Sequence, residues 1–328
     1  MPRSGLDAQL GFGSESTYGT AGTITRFLPF TRESLELEVQ YVRTAGLRAG
    51  RLAQLDELHV ATTRQGSGSI EMPFYQKGMG MLLNLLHGDT VTPTQVGTTG
   101  AYVQTHNVGV TDPDLKSVTI QVGRTDVGGT RRPFTHLGCK LSQLELECER
   151  GGVLNSTWEF DIQDVSTATP LATATYPTGL VPFTFTQGAV LIDGTAPVAL
   201  VRRATVRVEL PLENDRFSLS ASRVKALPVI NGQVSITAEL ECEFANLDQW
   251  NAFVNATRRA VRLKFTGPVI SDSENYLLDM YMPRTVTVGQ TPTVEGPDVI
   301  TQTVQLEAVD PGTAAPLTIT YKSTDTSL

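Results

Sequence analysis

From Gln233 to Phe244 the chain alternates without a lapse. Val234, Ile236, Ala238, Leu240, Cys242 and Phe244 fall in one phase, and Gln233, Ser235, Thr237, Glu239, Glu241 and Glu243 in the other. Successive side chains of a strand point to opposite faces, so period two predicts a strand with an apolar face and a carboxylate-bearing face. Asn246 then offers a side-chain cap, and Leu247, Trp250, Phe253 and Val254 recur at helical spacing, which predicts a short amphipathic helix. A second strand follows, in which Val261, Leu263 and Phe265 alternate with Arg262 and Lys264. A chain that carries this unit has to bury one sheet face and one helix stripe together.

The same alphabet fills the rest of the chain. Leu35, Leu37, Val39 and Tyr41 alternate with Glu36, Glu38 and Gln40, whereas Arg43 to Asp56 lacks periodicity and reads as a loop. Ile70, Met72 and Phe74 alternate, with Pro73 marking an edge or strand end. Met81, Leu82, Leu85 and Leu86 then share one helical face, which Gly88 terminates. Asp89 to Gly109, dense in Thr and Gly, reads as a long loop. Strands follow over Leu115–Val122 and from Phe134, then a hairpin in which Leu144, Leu146 and Cys148 face Trp158, Phe160 and Ile162 around Arg150-Gly151-Gly152. Val206, Val208 and Leu210 form another strand, Tyr276–Met282 a further one, and Thr285–Val288 with Val299–Ala308 a closing hairpin.

Laid on itself, the chain repeats this order. The strand at Leu35 corresponds to that at Val206, Phe74 to Phe244, the segment from Leu115 to that from Arg259, and Trp158 to Val304. Only the first copy carries the Thr/Gly-rich stretch. The expected organisation is mainly β: two tandem, duplicated β-sandwich or barrel domains, each with one short flanking α-helix. The first spans 31–168 and the second 183–310, joined by the Pro-punctuated linker 169–182. Residues 1–30 and 311–328 are expected to be terminal docking arms. In the first arm Phe12, Tyr18, Phe27 and Phe30 are the candidate contacts, and its deletion is expected to spare the folded monomer.

Composition narrows the chemistry. A net charge of −8 over 328 residues argues against tight nucleic-acid binding, while leaving room for a surface that nucleic acid passes without sticking. No apolar run is long enough to span a bilayer, and the N-terminus lacks the apolar core of a secretion signal, so synthesis in a cytoplasm is expected. Cys148 and Cys242 fall in apolar strand phases, and with Cys139 they read as buried free thiols. His59, His87, His106 and His136 are scattered, none at metal-ligand spacing, and His87 and His136 read as surface or capping residues beside glycines. No phosphate-binding loop, dinucleotide fingerprint or nucleophile elbow is present. We therefore expect no catalytic residues, no metal and no cofactor.

The acids are grouped. Glu36 and Glu38, then Glu145, Glu147 and Glu149, then Glu239, Glu241 and Glu243 occupy the polar phases of their strands, as do Glu159, Asp161 and Glu307. Like charges at i and i+2 repel. Such faces either keep exposed sheets soluble or line something that must not adsorb polyanions.

Several stretches together resemble the tail tube (major tail) proteins of long-tailed bacteriophages. They are GFGSESTYGT from Gly11 followed by ESLELEV, then GSIEMPFYQKGMGMLLNLLHG, FTHLGCKLSQLELECERGGVLNSTWEF, and NGQVSITAELECEFANLDQWNAFVN leading to VRLKFTG. The resemblance covers nearly the whole chain, in order. It implies a β-sandwich or barrel with one flanking helix, closed into rings that stack into a hollow tube with a continuous inner β-barrel. It also implies a virion tail location, a tape measure protein and tail terminator or distal tail proteins as partners, and DNA passing without specific binding. The duplication suggests three chains per ring with pseudo-sixfold symmetry, a hexamer of whole chains being the alternative, and the eight glutamates from Glu36 to Glu243 named first above become candidate lumen-facing residues. The competing readings are a β-sandwich receptor-binding or capsid/tail decoration protein and, third, an acidic carbohydrate-active enzyme with two carboxylates across a cleft.

Overall fold

The alternating segments become antiparallel ladders. The computed structural model describes residues 5–110, 115–194, 200–219, 222–289, 291–292 and 299–328. The principal strands of the first half are β1 (Gln9–Ser14), β2 (Glu36–Arg43), β3 (His59–Pro73), β4 (Tyr102–Val108), β5 (Val118–Thr125), β6 (Arg131–Glu149), β7 (Leu154–Ile162) and β8 (Asp164–Ser166). Those of the second are β9 (Gly188–Ile192), β10 (Val201–Glu209), β11 (Ser235–Glu243), β12 (Arg259–Ser271), β13 (Glu274–Thr287), β14 (Thr301–Ala308) and β15 (Leu317–Ser323). Two short helices accompany them: α1 (Gly80–Leu83, continued by a 3-10 turn over Asn84–Leu86) and α2 (Asp248–Val254).

One long sheet runs through both halves in the order β2-β3-β7-β6-β10-β11-β14, ending on the last residues of β13. The first half backs it with β1-β5-β6-β8, and the second with β9-β12-β13-β15. The same succession of pairings therefore occurs twice. In each half one strand serves both layers. β6 pairs with β5 and β8 through its first part and with β7 and β10 through its second. The change of layer falls at a bulge, where Ile120 pairs with His136 but Val118 with Cys139. Gly138 lies inside it at φ +61, with Tyr18 packed so closely that a Cβ would stand 2.9 Å from its ring, so the backbone turn and the close approach both require glycine. β13 makes the corresponding change at an irregularity between Met282 and Thr285.

The apolar phases meet in one cluster of buried side chains that includes residues of both halves, from Leu10 to Tyr321. Trp158 is completely buried, and its indole N–H donates to Ser156 Oγ at 2.9 Å, which donates onward to the Met72 carbonyl. The large ring is thus buried without an unpaired polar atom.

Three expectations need correction. The N-terminal segment is part of the first sandwich: β1 pairs along β5, Phe12 and Phe27 are buried, and Phe30 packs against the core. Its removal would open the core instead of sparing a folded monomer. The C-terminal segment is also no arm. Leu317, Ile319 and Tyr321 are buried because β15 lies between β13 and β4. Finally, the Thr/Gly-rich stretch from Asp89 to Gly109 contains β4, which belongs to the first half in sequence but extends the second half's backing sheet. Its inward residues include Gln104 and His106, so no apolar period announced it.

A candidate channel wall and its charge pattern

Residues directly opposite in an antiparallel ladder share a face, so the register reads out the polar side of the long sheet row by row. Glu71, Thr157, Glu145, Arg207, Thr237 and Glu307 form one row. Asn155, Glu147, Thr205, Glu239 and Gln305 form the next, and Glu149, Arg203, Glu241 and Thr303 the third. Glu243 continues the phase of β11, and Glu159, Gln143 and Glu209 lie one row to the other side. Glu36 and Glu38 join the same face through Ser67 and Gln65 of β3, on the exposed strand β2. All eight candidate glutamates thus stand on one side of one sheet.

Sequence reading missed what lies between them. β10 is inserted between the two glutamate triplets and carries Arg203 and Arg207 in the same phase. Arg203 pairs with Glu147 and stands 3.7 Å from Glu149. Arg207 Nε donates to Glu145 Oε2 at 2.9 Å, and Arg202 pairs with Glu243. These pairs are partly exposed, so each contributes only about 0–1 kcal/mol. Their larger effect is on repulsion: two cations at the centre relieve the like-charge rows, while the flanks remain acidic. The apolar phase of β10 at Val206 and Val208, continued by Leu210, is legible in the sequence, but its neighbours in the sheet are not.

Asp161 departs from the expectation of a solvated acid. It is buried beneath the connection between β10 and β11, where Lys225 forms an ion pair with it and Asn214 Nδ2 donates to it at 3.2 Å. Burial pushes the Asp161 carboxyl up, and Lys225, Asn214 and Lys140 pull it back. Lys140 Nζ donates to the Pro228 carbonyl at 3.2 Å, and Gln163 Nε2 to the Lys225 carbonyl at 2.9 Å. The second half's connection is therefore strapped over the first half's sheet. Removing one partner of such a pair leaves an uncompensated charge, at a cost of about 3–5 kcal/mol.

The candidate arm residues lie inside the fold. Glu15, within the GFGSESTYGT stretch, accepts from Gly19 N, Gly138 N, Ser117 Oγ and Thr119 Oγ1 at 2.7–3.0 Å. This carboxylate ties the segment around half-buried Tyr18 to the bulge at Gly138, and burial raises the Tyr18 phenol well above its usual range.

Histidines that looked scattered are partly brought together. His87, after α1, and His106, on β4, are both buried with ring nitrogens 2.9 Å apart. Burial lowers both, His106 to about 3, with His87 adding to the effect. His136 is buried rather than superficial, and burial lowers it to about 4. The three cysteines are buried free thiols, and burial pushes Cys148 up to about 11. Among the described residues no group of three or more His, Cys, Asp or Glu is placed to hold a metal ion, and no helix is long and apolar enough to cross a membrane.

The family model described as phage tail tube protein matches residues 5–308. No curated protein matches the chain.

Proposed function

The chain belongs to the phage tail tube protein family, a structural family of the virion tail, and on that premise we propose how it builds and lines the tube. Copies join edge to edge into rings, three chains to a ring, each chain supplying two quasi-equivalent copies of a duplicated tube domain. The rings stack, and the polar face of the long sheet lines the lumen through which DNA leaves. Tape measure protein inside the tube and terminator or distal tail proteins at its ends are the further partners.

One observation carries this reading: a single antiparallel sheet crosses both halves of the chain and places Glu145, Glu147, Glu149, Glu239, Glu241 and Glu243 on one face. A sheet that already continues from one domain into the next through the β6–β10 ladder can continue into the next chain by the same kind of joint, which also covers the open edge β2. A wall dominated by carboxylates gives phosphates no counterion-releasing contacts, so DNA stays hydrated and mobile.

The test has two arms. Electron microscopy of the assembled protein is expected to show hollow rings with threefold symmetry and a sixfold-like inner wall; whole-chain sixfold rings would overturn the stoichiometry. In phage particles carrying Glu239→Lys and Glu241→Lys, tubes are expected to form while DNA ejection slows. Ejection at the normal rate would remove the lumen assignment.

A further inference from the structure

The chain contains two strand-helix units in corresponding places, and among the described residues only the first is covered. Phe74 leads into α1, and both are buried. The cover comes largely from the second half. Tyr321 of β15 meets the Phe74 ring edge-on, with centroids 6.0 Å apart, and donates from its hydroxyl to the Tyr75 carbonyl at 3.3 Å. Phe183 packs on Phe74 from the other side at 6.4 Å, and Asp325 accepts from Gly78 N at 2.5 Å. The 3-10 end of α1 also contacts β6, the strand that β10 joins.

Phe244 leads into α2 in the same way but is only partly buried, and within α2 only Ala252 is fully buried. Leu247 is 56% exposed, Phe253 37% and Val254 59%, while Trp250 lies half-buried against Phe253 with ring centroids 5.8 Å apart. α2 borders the second half's end of the long sheet: Trp250 and Phe253 line a groove with Thr287, Gly289 and Thr303. This is the place that corresponds to the β6–β10 joint.

We infer that the apolar face of α2 is the docking surface for a second copy of this chain, whose first half covers it as the second half covers α1. The occupant follows from the internal template. The β6 edge and α1 receive a domain that begins with a 3-10 turn at Phe185–Gln187 and presents strand β10; the first half begins with a 3-10 turn at Gly5–Asp7 and presents β2, the open edge. The contact is heterologous, and its repetition builds the proposed ring when the rotation from copy to copy closes. The inference rests on the ring assembly proposed above and adds the residues that hold it.

The test compares the wild-type chain with Leu247→Glu/Phe253→Glu. Both changes lie on exposed side chains, so circular dichroism and melting are expected to match the wild type. Ring yield at equal concentration is expected to fall at least roughly tenfold, the scale of losing a buried interface anchor. Independently, acrylamide quenching of the wild type is read before and after assembly. Trp158 is already buried, so a drop on assembly reports Trp250. Wild-type ring yield from the variant, or unchanged quenching in wild-type rings, overturns the α2 interface and leaves ring formation standing. A wild-type chain that forms no rings overturns both.

Discussion

Phe74 and Phe244 each close an alternating strand and hand the chain to a short helix, yet Phe74 is fully buried and Phe244 only in part. The helices follow suit. Gly80–Leu86 is buried throughout, and Asp248–Val254 buries a single alanine. Part of the difference is intrinsic. GMLLNLL is apolar nearly all round, as an enclosed helix must be, while DQWNAFV keeps a polar side. The rest is positional: β15 and β4 close over the first unit, and among the described residues no corresponding strands close over the second. A helix's burial is decided by what the chain does afterwards as much as by its own stripe.

The largest expected effect comes from making the first unit resemble the second. Deleting residues 311–328 removes β15, and with it the Tyr321 ring from Phe74 and the strand to which β4 pairs. We expect the chain to lose cooperative unfolding by urea; a truncated chain that melts like the full one would show that the cover of α1 is dispensable.

Next is the direct comparison. Phe74→Ala opens a cavity among packed aromatic rings and should cost about 3–5 kcal/mol. Phe244→Ala, already partly solvated, should cost about 1 kcal/mol in the unassembled subunit, by its smaller loss of buried area. Equal shifts in the denaturation midpoints of the two variants would mean that the units are packed alike.

A smaller effect separates the units by pH. The His87–His106 contact ties the end of α1 to β4, and α2 has no such pair. Because His106 and His136 are lowered to about 3 and 4, the unfolded chain takes up protons first as pH falls from the ordinary histidine value of 6.5. Stability is therefore complete above that value and is lost towards the lowered ones, by on the order of 2 kcal/mol per histidine at pH 5. Urea midpoints at pH 7.5 and pH 5 measure it. His106→Gln should remove that histidine's share, on the order of 2 kcal/mol at pH 5, and an unaltered slope would assign the acid sensitivity elsewhere.

Much of this architecture is legible in local pattern. Period two predicts which residues of β6, β7 and β11 face inward, because that periodicity is a property of each strand alone. The acidic phases follow from the same rule, as do the two helices and the thiols of Cys148 and Cys242. Where polar residues face inward the rule is blind. Gln104 and His106 hide β4, and Glu15 among small residues makes a structural segment look like a flexible arm.

What the amino-acid sequence determines by itself is the set of two-faced strands, their order repeated along the chain, and the motifs shared with tail tube proteins. Tertiary structure alone decides who stands beside whom: β10 against β6, Arg203 and Arg207 between two rows of glutamates, Lys225 over Asp161, β15 between β13 and β4. The physical reason is that alternation is written residue by residue, whereas strand neighbours are chosen by closing long loops against competing edges, a choice no short window of sequence contains.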